Sequence, residues 1–233
     1  MRKLVRWIAA AFLGVAALPA MADDHPVLVE LYTSQGCSSC PPADAFMNKL
    51  AKRDDVIALA LHVDYWDYIG WPDEFAQAKF TKRQKSYAVS AGRRSIYTPQ
   101  MIVGGQEHVV GNHPMDVNDL IRKHAAKEPA VSVGLKRQGD RLTITASADR
   151  PLNEPLLVQM VRYMPGKQVM IRRGENAGRT IQYSNIVTDW KLVGEWDPRA
   201  PLSTTGKITG DAPVVVIVQR HGPGEVLATA RLR

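Results

Sequence analysis

The sequence predicts an α/β domain followed by an all-β domain. Between residues 27 and 127, apolar runs of strand length alternate with segments whose apolar residues recur at helical spacing. From residue 129 onward the helical period disappears, and short alternating runs are separated by turn residues. A chain of 233 residues with 45% apolar residues is long enough for one large domain or two small ones with packed cores.

The first 22 residues have the pattern of a signal peptide. Met1–Arg6 is basic, Trp7–Leu18 is apolar but short for a membrane span, and Ala20–Ala22 has the small-x-small form of a cleavage site. We therefore expect a mature protein that begins near Asp23 and is periplasmic or secreted. The alternative, an uncleaved membrane anchor, is disfavoured by the short apolar region.

The charge balance argues against nucleic acid as a partner. Removal of Arg2, Lys3 and Arg6 with the signal leaves 27 basic against 23 acidic residues and lowers the formal net charge from +7 to +4. The sequence has no block of basic residues interleaved with aromatic ones. After the signal, no stretch is long and apolar enough for a membrane helix.

The first domain is expected over residues 23–128. A Pro72-Asp73 pair marks a helix start, and Gly104-Gly105 marks the turn of a β-hairpin. The predicted elements, in order, are strand Val27–Tyr32, helix Pro41–Ala51, strand Val56–Val63, helix Glu74–Tyr87, strands Gln100–Val103 and Glu107–Val110, and helix Asp116–Lys127.

The second domain is expected over residues 129–233 as a β-sandwich-like unit. About eight short strands with regular turns are typical of such a sandwich. The predicted strands are Val131–Leu135, Leu142–Ala146, Pro155–Met164, Lys167–Arg172, Arg179–Asp189, Trp190–Trp196, Pro213–Arg220 and Glu225–Leu232.

The chain has two cysteines, and both lie in the motif Cys37-Ser38-Ser39-Cys40 after the first strand. Two thiols at this spacing can close a small disulfide ring, exchange it with another protein, or bind a soft metal ion. Disulfides persist outside the cytosol, so export favours disulfide chemistry. All thiol chemistry of this chain must involve Cys37 and Cys40.

The order strand, CxxC, helix, strand, helix, Thr-Pro, two strands, helix resembles a thioredoxin-fold domain. The resemblance implies that Thr98–Pro99 is a cis peptide that faces the dithiol and shapes the substrate groove. It implies Cys37, Cys40 and Pro99 as the catalytic residues. We expect the substrate to contact four side chains, Ser38, Ser39, Trp66 and Thr98.

The whole chain resembles the exported thioredoxin-like family known as domain of unknown function 1223. The stretches that carry this resemblance are Glu30–Pro42, His62–Trp66 and Thr98–Gln100. The family implies the fold but supplies no established reaction. Thioredoxins usually have a tryptophan before the first cysteine, whereas Gly36 stands there in this chain, so the partner surface is expected to differ.

The motif also suggests roles for the two cysteines. Pro41 and Pro42 suit a first helical turn, so the helix should begin near Cys40 or Pro41, with its partial positive charge near both sulfurs. We expect Cys37 to be the more exposed, attacking cysteine and Cys40 to resolve the mixed disulfide. The alternative, a passive disulfide that only staples the turn, is weak because so short a loop restricts the unfolded chain little.

Other polar residues have two interpretations each. Asp64 follows the second strand, where it is either a proton acceptor for Cys40 or the cap of a turn. Arg93 and Arg94 precede the Thr-Pro dipeptide. They either stabilise a thiolate or bind an acidic partner, or they lie in a solvated loop without such a role. The polar loop Arg172–Asn176 either approaches the CxxC motif or serves only as a connecting turn.

The function predicted from the sequence is that of an exported thiol-disulfide oxidoreductase without a resident cofactor. Its partners would be exported protein thiols or disulfides and a redox partner. One alternative is a Cu(I)-binding or copper-delivery protein that uses the same two sulfurs. Another is a non-catalytic interaction protein on the same scaffold. A closed zinc site is not expected, because it needs about four ligands and the sequence has no second cysteine pair or close histidine pair.

Overall fold

A computed structural model describes residues 25–233 of the chain. The signal peptide expected over residues 1–22 lies outside the described residues. The strands are β1 Val27–Thr33, β2 Val56–His62, β3 Gln100–Val103, β4 Glu107–Val110, β5 Val131–Gln138, β6 Arg141–Ala148, β7 Leu156–Met170, β8 Thr180–Trp196, β9 Leu202–Lys207, β10 Val214–Gln219 and β11 Val226–Leu232. The helices are α1 Pro41–Leu50, α2 Ala78–Ser90 and α3 Pro114–Ala125, with a short 3-10 helix at Asp67–Ile69.

One mixed eight-stranded sheet runs through both halves of the chain. Its strand order is β11-β10-β7-β8-β2-β1-β3-β4. The predicted fold class, a thioredoxin-like α/β domain followed by a separate all-β domain, is therefore wrong. Strands from the second half extend the sheet of the first half across the edge of β2, which sequence periodicity could not reveal.

The two halves of the sheet join through Asn185. Strands β2 and β8 pair in parallel only at Ala60 and Ile186. Beside this pair, Asn185 has a left-handed backbone (φ 51°), and its Nδ2 donates a 2.8 Å hydrogen bond to the carbonyl of Ala58. Asparagine tolerates this conformation better than most residues, and its amide replaces a ladder bond where the strands diverge.

Strands β7 and β8 form one long hairpin where the sequence predicted four strands. The Pro165-Gly166 pair, predicted as a turn, lies within β7. Strand β10 pairs with β7 only over Leu157–Arg162, so at Pro165 the strand has β8 as its only neighbour. A proline without an N–H is tolerated at such an edge position.

The three-stranded sheet β5-β6-β9 packs on one end of the large sheet. Its inward residues share a core with β7 and β10, and this core includes Leu142, Ile144, Val158 and Val216. Buried and exposed residues alternate along β6 because only one face of this sheet is covered. This layer lies away from the cysteine motif, next to the end of the sheet formed by β10 and β11.

Strands β1 and β2 are buried along their whole length because helices cover both faces. Helices α1 and α3 pack on the face that includes Leu31, and α2 packs on the face that includes Tyr32. Helix α2 begins at Ala78, four residues later than predicted, since Pro72–Gln77 belongs to the loop after the 3-10 helix. The parallel arrangement places the carboxyl ends of β1 and β2 side by side, and the cysteine loop starts there.

No helix within residues 25–233 is long and apolar enough to cross a membrane.

Candidate functional site

The cysteine motif connects the end of β1 to the start of α1. The predicted helix start is confirmed: α1 begins at Pro41, with Cys40 as its N-cap residue. The carbonyl of Cys40 accepts the amides of Ala43 and Asp44, and the Cys37 amide donates to the carbonyl of Ser34. Cys37 and Cys40 form a disulfide. The loop is therefore a tight turn closed by a disulfide at a helix N-terminus.

Both cysteines are buried. Each has 0% relative exposure, whereas Ser38 and Ser39 between them are exposed. The expectation that Cys37 is more exposed than Cys40 is therefore wrong. The Ser39 hydroxyl lies 3.4 Å from Cys37 Sγ and forms the solvent side of the motif.

The Thr98–Pro99 peptide is cis, as the resemblance to thioredoxin-like proteins implied. It lies next to the motif, since Ser39 Oγ donates to the Thr98 carbonyl at 3.5 Å. The Trp66 indole N–H donates a 2.7 Å bond to Thr98 Oγ1. The structure thus brings Ser39, Trp66, Thr98 and Pro99 to one side of the disulfide, and Ser38 is exposed in the loop itself.

Glycines allow these segments to approach one another. A Cβ at Gly36 would lie 3.2 Å from Trp66 Cβ and 3.1 Å from Ile69 Cδ1. A Cβ at Gly111 would lie 3.2 Å from the Cβ atoms of both Ala43 and Pro99. The glycine before Cys37 therefore leaves room for the segment of Trp66 and Ile69 to pack against the motif.

The loop at the tip of the β7–β8 hairpin reaches the motif. Asn176 in this loop is buried, and its Nδ2 donates 2.9 Å hydrogen bonds to the carbonyls of Gln35 and Cys37. Gly174 packs at the side of Trp71, whose indole N–H donates to Gln35 Oε1 at 2.7 Å. Of the two interpretations of the polar loop, the structure supports the approach to the CxxC motif.

A cluster of buried polar side chains lies behind the motif. Asp44 Oδ1 accepts a 2.8 Å hydrogen bond from Thr33 Oγ1. His62 Nδ1 lies 2.7 Å from Asp73 Oδ2, which also accepts the Gln35 amide at 2.8 Å. We call Thr33, Asp44, His62, Asp73 and Tyr183 the Asp44 cluster. It connects α1, the ends of β1 and β2, and β8 directly beneath the cysteine loop.

The electrostatics of this cluster are set by burial and by opposing charges. Burial raises the pKa of Asp44 to about 7, although nearby His62 and the Thr33 hydrogen bond oppose the rise. Burial lowers the pKa of His62, but the charge and hydrogen bond of Asp73 outweigh it, so the net shift is upward. A carboxyl group that titrates near neutral pH can act both as an acid and as a base.

Several polar atoms around the motif have no hydrogen-bond partner among the described residues. They are Gln35 Nε2, Asp44 Oδ2, His62 Nε2, Asn176 Oδ1 and Tyr183 Oη. Buried polar atoms are normally paired, so an unpaired group needs an explanation, such as a catalytic role or a bound water. Three of these atoms belong to the Asp44 cluster.

Asp64 has other partners. Its Oδ1 accepts a 2.5 Å bond from Thr81 Oγ1, and its amide donates to the same hydroxyl at 3.3 Å. This pairing ties the end of β2 to α2. Arg93 and Arg94 are exposed in the loop before Thr98, and neither pairs with a carboxylate among the described residues. Within the same part of the chain, no group of three or more histidine, cysteine or acidic side chains could hold a metal ion.

The sequence contains a signal that Asp44 is buried. Cys40, Asp44 and Met47 follow the helical spacing of the buried face of α1, so a carboxyl group interrupts an apolar stripe. His62 similarly ends an otherwise apolar buried strand. Asn176 had no such signal, because its contacts come from a loop more than 130 residues away in sequence.

Comparisons with known proteins give a family and a fold. The crystal structure of protein AGR_C_4864 from Agrobacterium tumefaciens is similar to this chain, with 32% sequence identity and a TM-score of 0.77, over 88% of this chain and 93% of that one. The structure of HBP35 of Porphyromonas gingivalis shares the fold at 14% identity and a TM-score of 0.61, over 89% of this chain and 74% of that one. No curated protein matches the chain. The family model described as Protein of unknown function (DUF1223) matches residues 28–219, and the chain therefore belongs to this family.

Proposed function

We propose that this protein is an exported thiol-disulfide oxidoreductase whose redox centre is the Cys37–Cys40 disulfide. The observation that carries the proposal is a disulfide closed over two residues at the N-terminus of a helix. A bridge across so short a loop restrains the unfolded chain little, so stabilisation is a weak reason for it. Reversible thiol-disulfide exchange is a better reason for the bridge.

The helix N-terminus favours a thiolate in the reduced protein. The partial positive charge at the start of α1 lies near both sulfurs, and such a charge favours the thiolate form of a neighbouring attacking thiol. Pro41 and Pro42 lack an N–H, and the amides of Ala43 and Asp44 donate to the Cys40 carbonyl, so the support comes from the helix dipole and not from a direct N–H bond to a sulfur. The thiolate is the species that attacks a disulfide, so this placement supports exchange chemistry.

The exchange has two steps. A partner thiolate attacks Cys37 Sγ, the S–S bond breaks, and Cys40 Sγ leaves as a thiolate that takes up a proton. A second partner thiol then resolves the mixed disulfide, so the partner dithiol is oxidised by two electrons and the cysteine pair is reduced. The reverse sequence oxidises the cysteine pair, and the partner's reduction potential sets the direction.

Access to the sulfurs requires movement of the motif, since both cysteines are buried. The exposed hydroxyls of Ser38 and Ser39 are the first groups of the motif that a partner meets. Trp66, Thr98 and Pro99 lie beside them and are proposed to contact the substrate. Pro99 and the two cysteines are the proposed catalytic residues.

The test compares exchange kinetics with copper binding on one preparation. We expect the mature protein to exchange disulfides with a dithiol peptide faster than an unstructured Cys-Ser-Ser-Cys peptide does, without any effect of a copper chelator. The Cys40→Ser variant should trap mixed disulfides through Cys37, whereas Cys37→Ser should trap few. Rates no faster than the peptide's, together with tight Cu(I) binding by the reduced protein, would replace the proposal with copper handling.

Export is tested separately. The basic and apolar segments before Asp23 support cleavage after Ala22. Mass spectrometry of protein from an exporting host should show a mature chain that begins near Asp23. Recovery of the full-length chain from the cytosol alone would contradict export.

A further inference from the structure

We propose that Asp44 exchanges a proton with Cys40 when the disulfide opens and closes. This inference rests on the proposed function and assigns the proton transfer within the same site. The residue acts as the acid that protonates the leaving Cys40 thiolate and as the base that removes this proton on reoxidation.

The position of Asp44 on the helix supports the assignment. Asp44 is four residues after Cys40, and its amide donates a 3.1 Å hydrogen bond to the Cys40 carbonyl. Residues four apart share one face of a helix, and helical side chains lean towards the N-terminus. The Asp44 side chain therefore leans towards the turn that carries Cys40.

The hydrogen bonding of Asp44 leaves one oxygen available. Oδ1 accepts from Thr33, whereas buried Oδ2 has no partner among the described residues. A fully satisfied carboxylate would hold both oxygens in hydrogen bonds. An unpaired oxygen in a buried site fits a carboxyl group that holds a proton and can pass it to a neighbour.

The groups around Asp44 come from four elements. Thr33 on β1 donates to it, His62 at the end of β2 places a cation near it, and Asp73 in the loop before α2 places a like charge near it. Tyr183 on β8 is the remaining titratable neighbour, and its pKa is raised by burial and then by Asp44 and Asp73. Burial dominates this balance and brings the pKa of Asp44 to about 7, the range in which one group serves in both directions.

The proposed step balances in atoms and electrons. A partner thiolate forms a bond to Cys37 Sγ, and the electron pair of the breaking S–S bond goes to Cys40 Sγ. The proton moves from the Asp44 carboxyl to Cys40 Sγ, which leaves a carboxylate that Thr33 and His62 stabilise. Reoxidation returns the proton to Asp44 as Cys40 attacks the mixed disulfide. The partner supplies both electrons.

The decisive experiment measures the rate of reduction of the disulfide by dithiothreitol, corrected for the thiolate fraction of the reagent, between about pH 5.5 and 9. In the wild type we expect this corrected rate to fall as pH rises through about 7, the pKa of Asp44. In Asp44→Asn the rate at low pH should be about 10²-fold lower and independent of pH, because general acid catalysis is lost. Asp64→Asn is the matched control, since Asp64 is paired with Thr81 and should keep the wild-type profile.

A second variant tests the proposal independently in case Asp44→Asn does not fold. The charge of His62 lowers the pKa of Asp44, so His62→Gln should move the inflection to higher pH. A flat wild-type profile, a wild-type profile in folded Asp44→Asn, or an unmoved inflection in His62→Gln would overturn the role of Asp44. A flat profile in Asp64→Asn would assign the proton to Asp64 instead. Exchange by the wild type at the rate of an unstructured peptide would instead reject the proposed function itself.

Discussion

Two buried ionisable clusters lie on opposite faces of strand β1, and they differ in how completely they are paired. On the face covered by α2, Glu30 forms an ion pair with Arg83, with a distance of 2.7 Å between Arg83 Nε and Glu30 Oε2. We call this pair with Tyr32 and Tyr87 the Glu30 cluster. On the face covered by α1 lies the Asp44 cluster.

The Glu30 cluster is saturated with hydrogen bonds. Glu30 Oε1 accepts from Tyr87 at 2.6 Å and from Arg83 Nη2 at 2.9 Å, and Oε2 accepts from Arg83 Nε and from Tyr32 at 3.0 Å. The Arg83 guanidinium also stacks 3.9 Å from the centre of the Trp190 ring. By contrast, Asp44 has one bonded oxygen, and its other oxygen has no partner within residues 25–233.

The difference separates a structural charge from a reactive one. A buried carboxylate whose two oxygens are both bonded to an arginine and a tyrosine ties β1 to α2. A buried carboxyl group with an unpaired oxygen and a pKa of about 7, four residues after a disulfide cysteine on the same helix, can change its protonation state near neutral pH. The following variants test this distinction on the oxidised protein.

The largest effect is expected for Glu30→Gln. This change leaves the Arg83 cation buried without its counter-charge, which typically costs about 3–5 kcal/mol of unfolding free energy. Urea unfolding followed by circular dichroism measures the loss. Glu74→Gln is the control, because Glu74 forms an exposed ion pair with Lys167 and such pairs contribute at most about 1 kcal/mol. Equal losses in the two variants would show that the Glu30 cluster does not stabilise the fold.

An effect that depends on pH is expected for Asp44→Asn. The pKa of Asp44 is about 7 in the folded protein, against an ordinary value of 3.8 for an aspartate, so the folded state holds the proton more tightly. This contribution to stability is complete below about pH 4 and is lost as pH rises through 7. The stability of Asp44→Asn relative to wild type should therefore increase by at most about 4 kcal/mol between pH 4 and 8, at about 1.4 kcal/mol per pKa unit.

The measurement is urea unfolding of both proteins at a series of pH values. His62 is present in both proteins, but the charge of Asp44 contributes to its raised pKa, so the difference between the two proteins reports the coupled titration of Asp44 and His62. A difference that stays constant with pH would contradict the raised pKa of Asp44.

A moderate effect is expected for Tyr87→Phe. The variant removes the hydrogen bond that the Tyr87 hydroxyl donates to Glu30 and the two that it accepts from Arg83 and Gln219, and it leaves the ion pair in place. Hydrogen bonds to charged groups contribute about 1.5–3 kcal/mol. Thermal and urea unfolding should show a loss in this range, without a new dependence on pH. A neutral result would mean that the saturation of Glu30 is not energetically important.

The smallest effect on stability is expected for Asn176→Ala. Two hydrogen bonds to the carbonyls of Gln35 and Cys37 are lost, at about 1 kcal/mol each. Because the hairpin loop then no longer anchors the motif, reduction of the buried disulfide by a phosphine should become faster. Glu175→Ala, an exposed change in the same loop, is the control. Unchanged reduction in Asn176→Ala would show that the loop does not limit access to the sulfurs.

Local patterns predicted much of the site. The helix start at Pro41, the cysteine pair and the Thr98–Pro99 dipeptide are short-range features, since each depends on residues within a few positions. The expected exposure of Cys37 depends instead on what covers it, and segments around Trp66 and Asn176 come from distant parts of the chain. No local pattern reports such coverage.

The sequence by itself determined the family, the order of elements from β1 to α3 and the chemistry of the two thiols. These follow from periodicity, turn residues and a motif, all of which are encoded in neighbouring residues. Tertiary structure alone decided that β8 extends the sheet across β2, that Asn176 anchors the motif, and that Asp44 and Glu30 have different surroundings. Strand pairing and the burial of a charge depend on contacts between residues far apart in the chain, and it is these contacts that set hydrogen bonding and pKa.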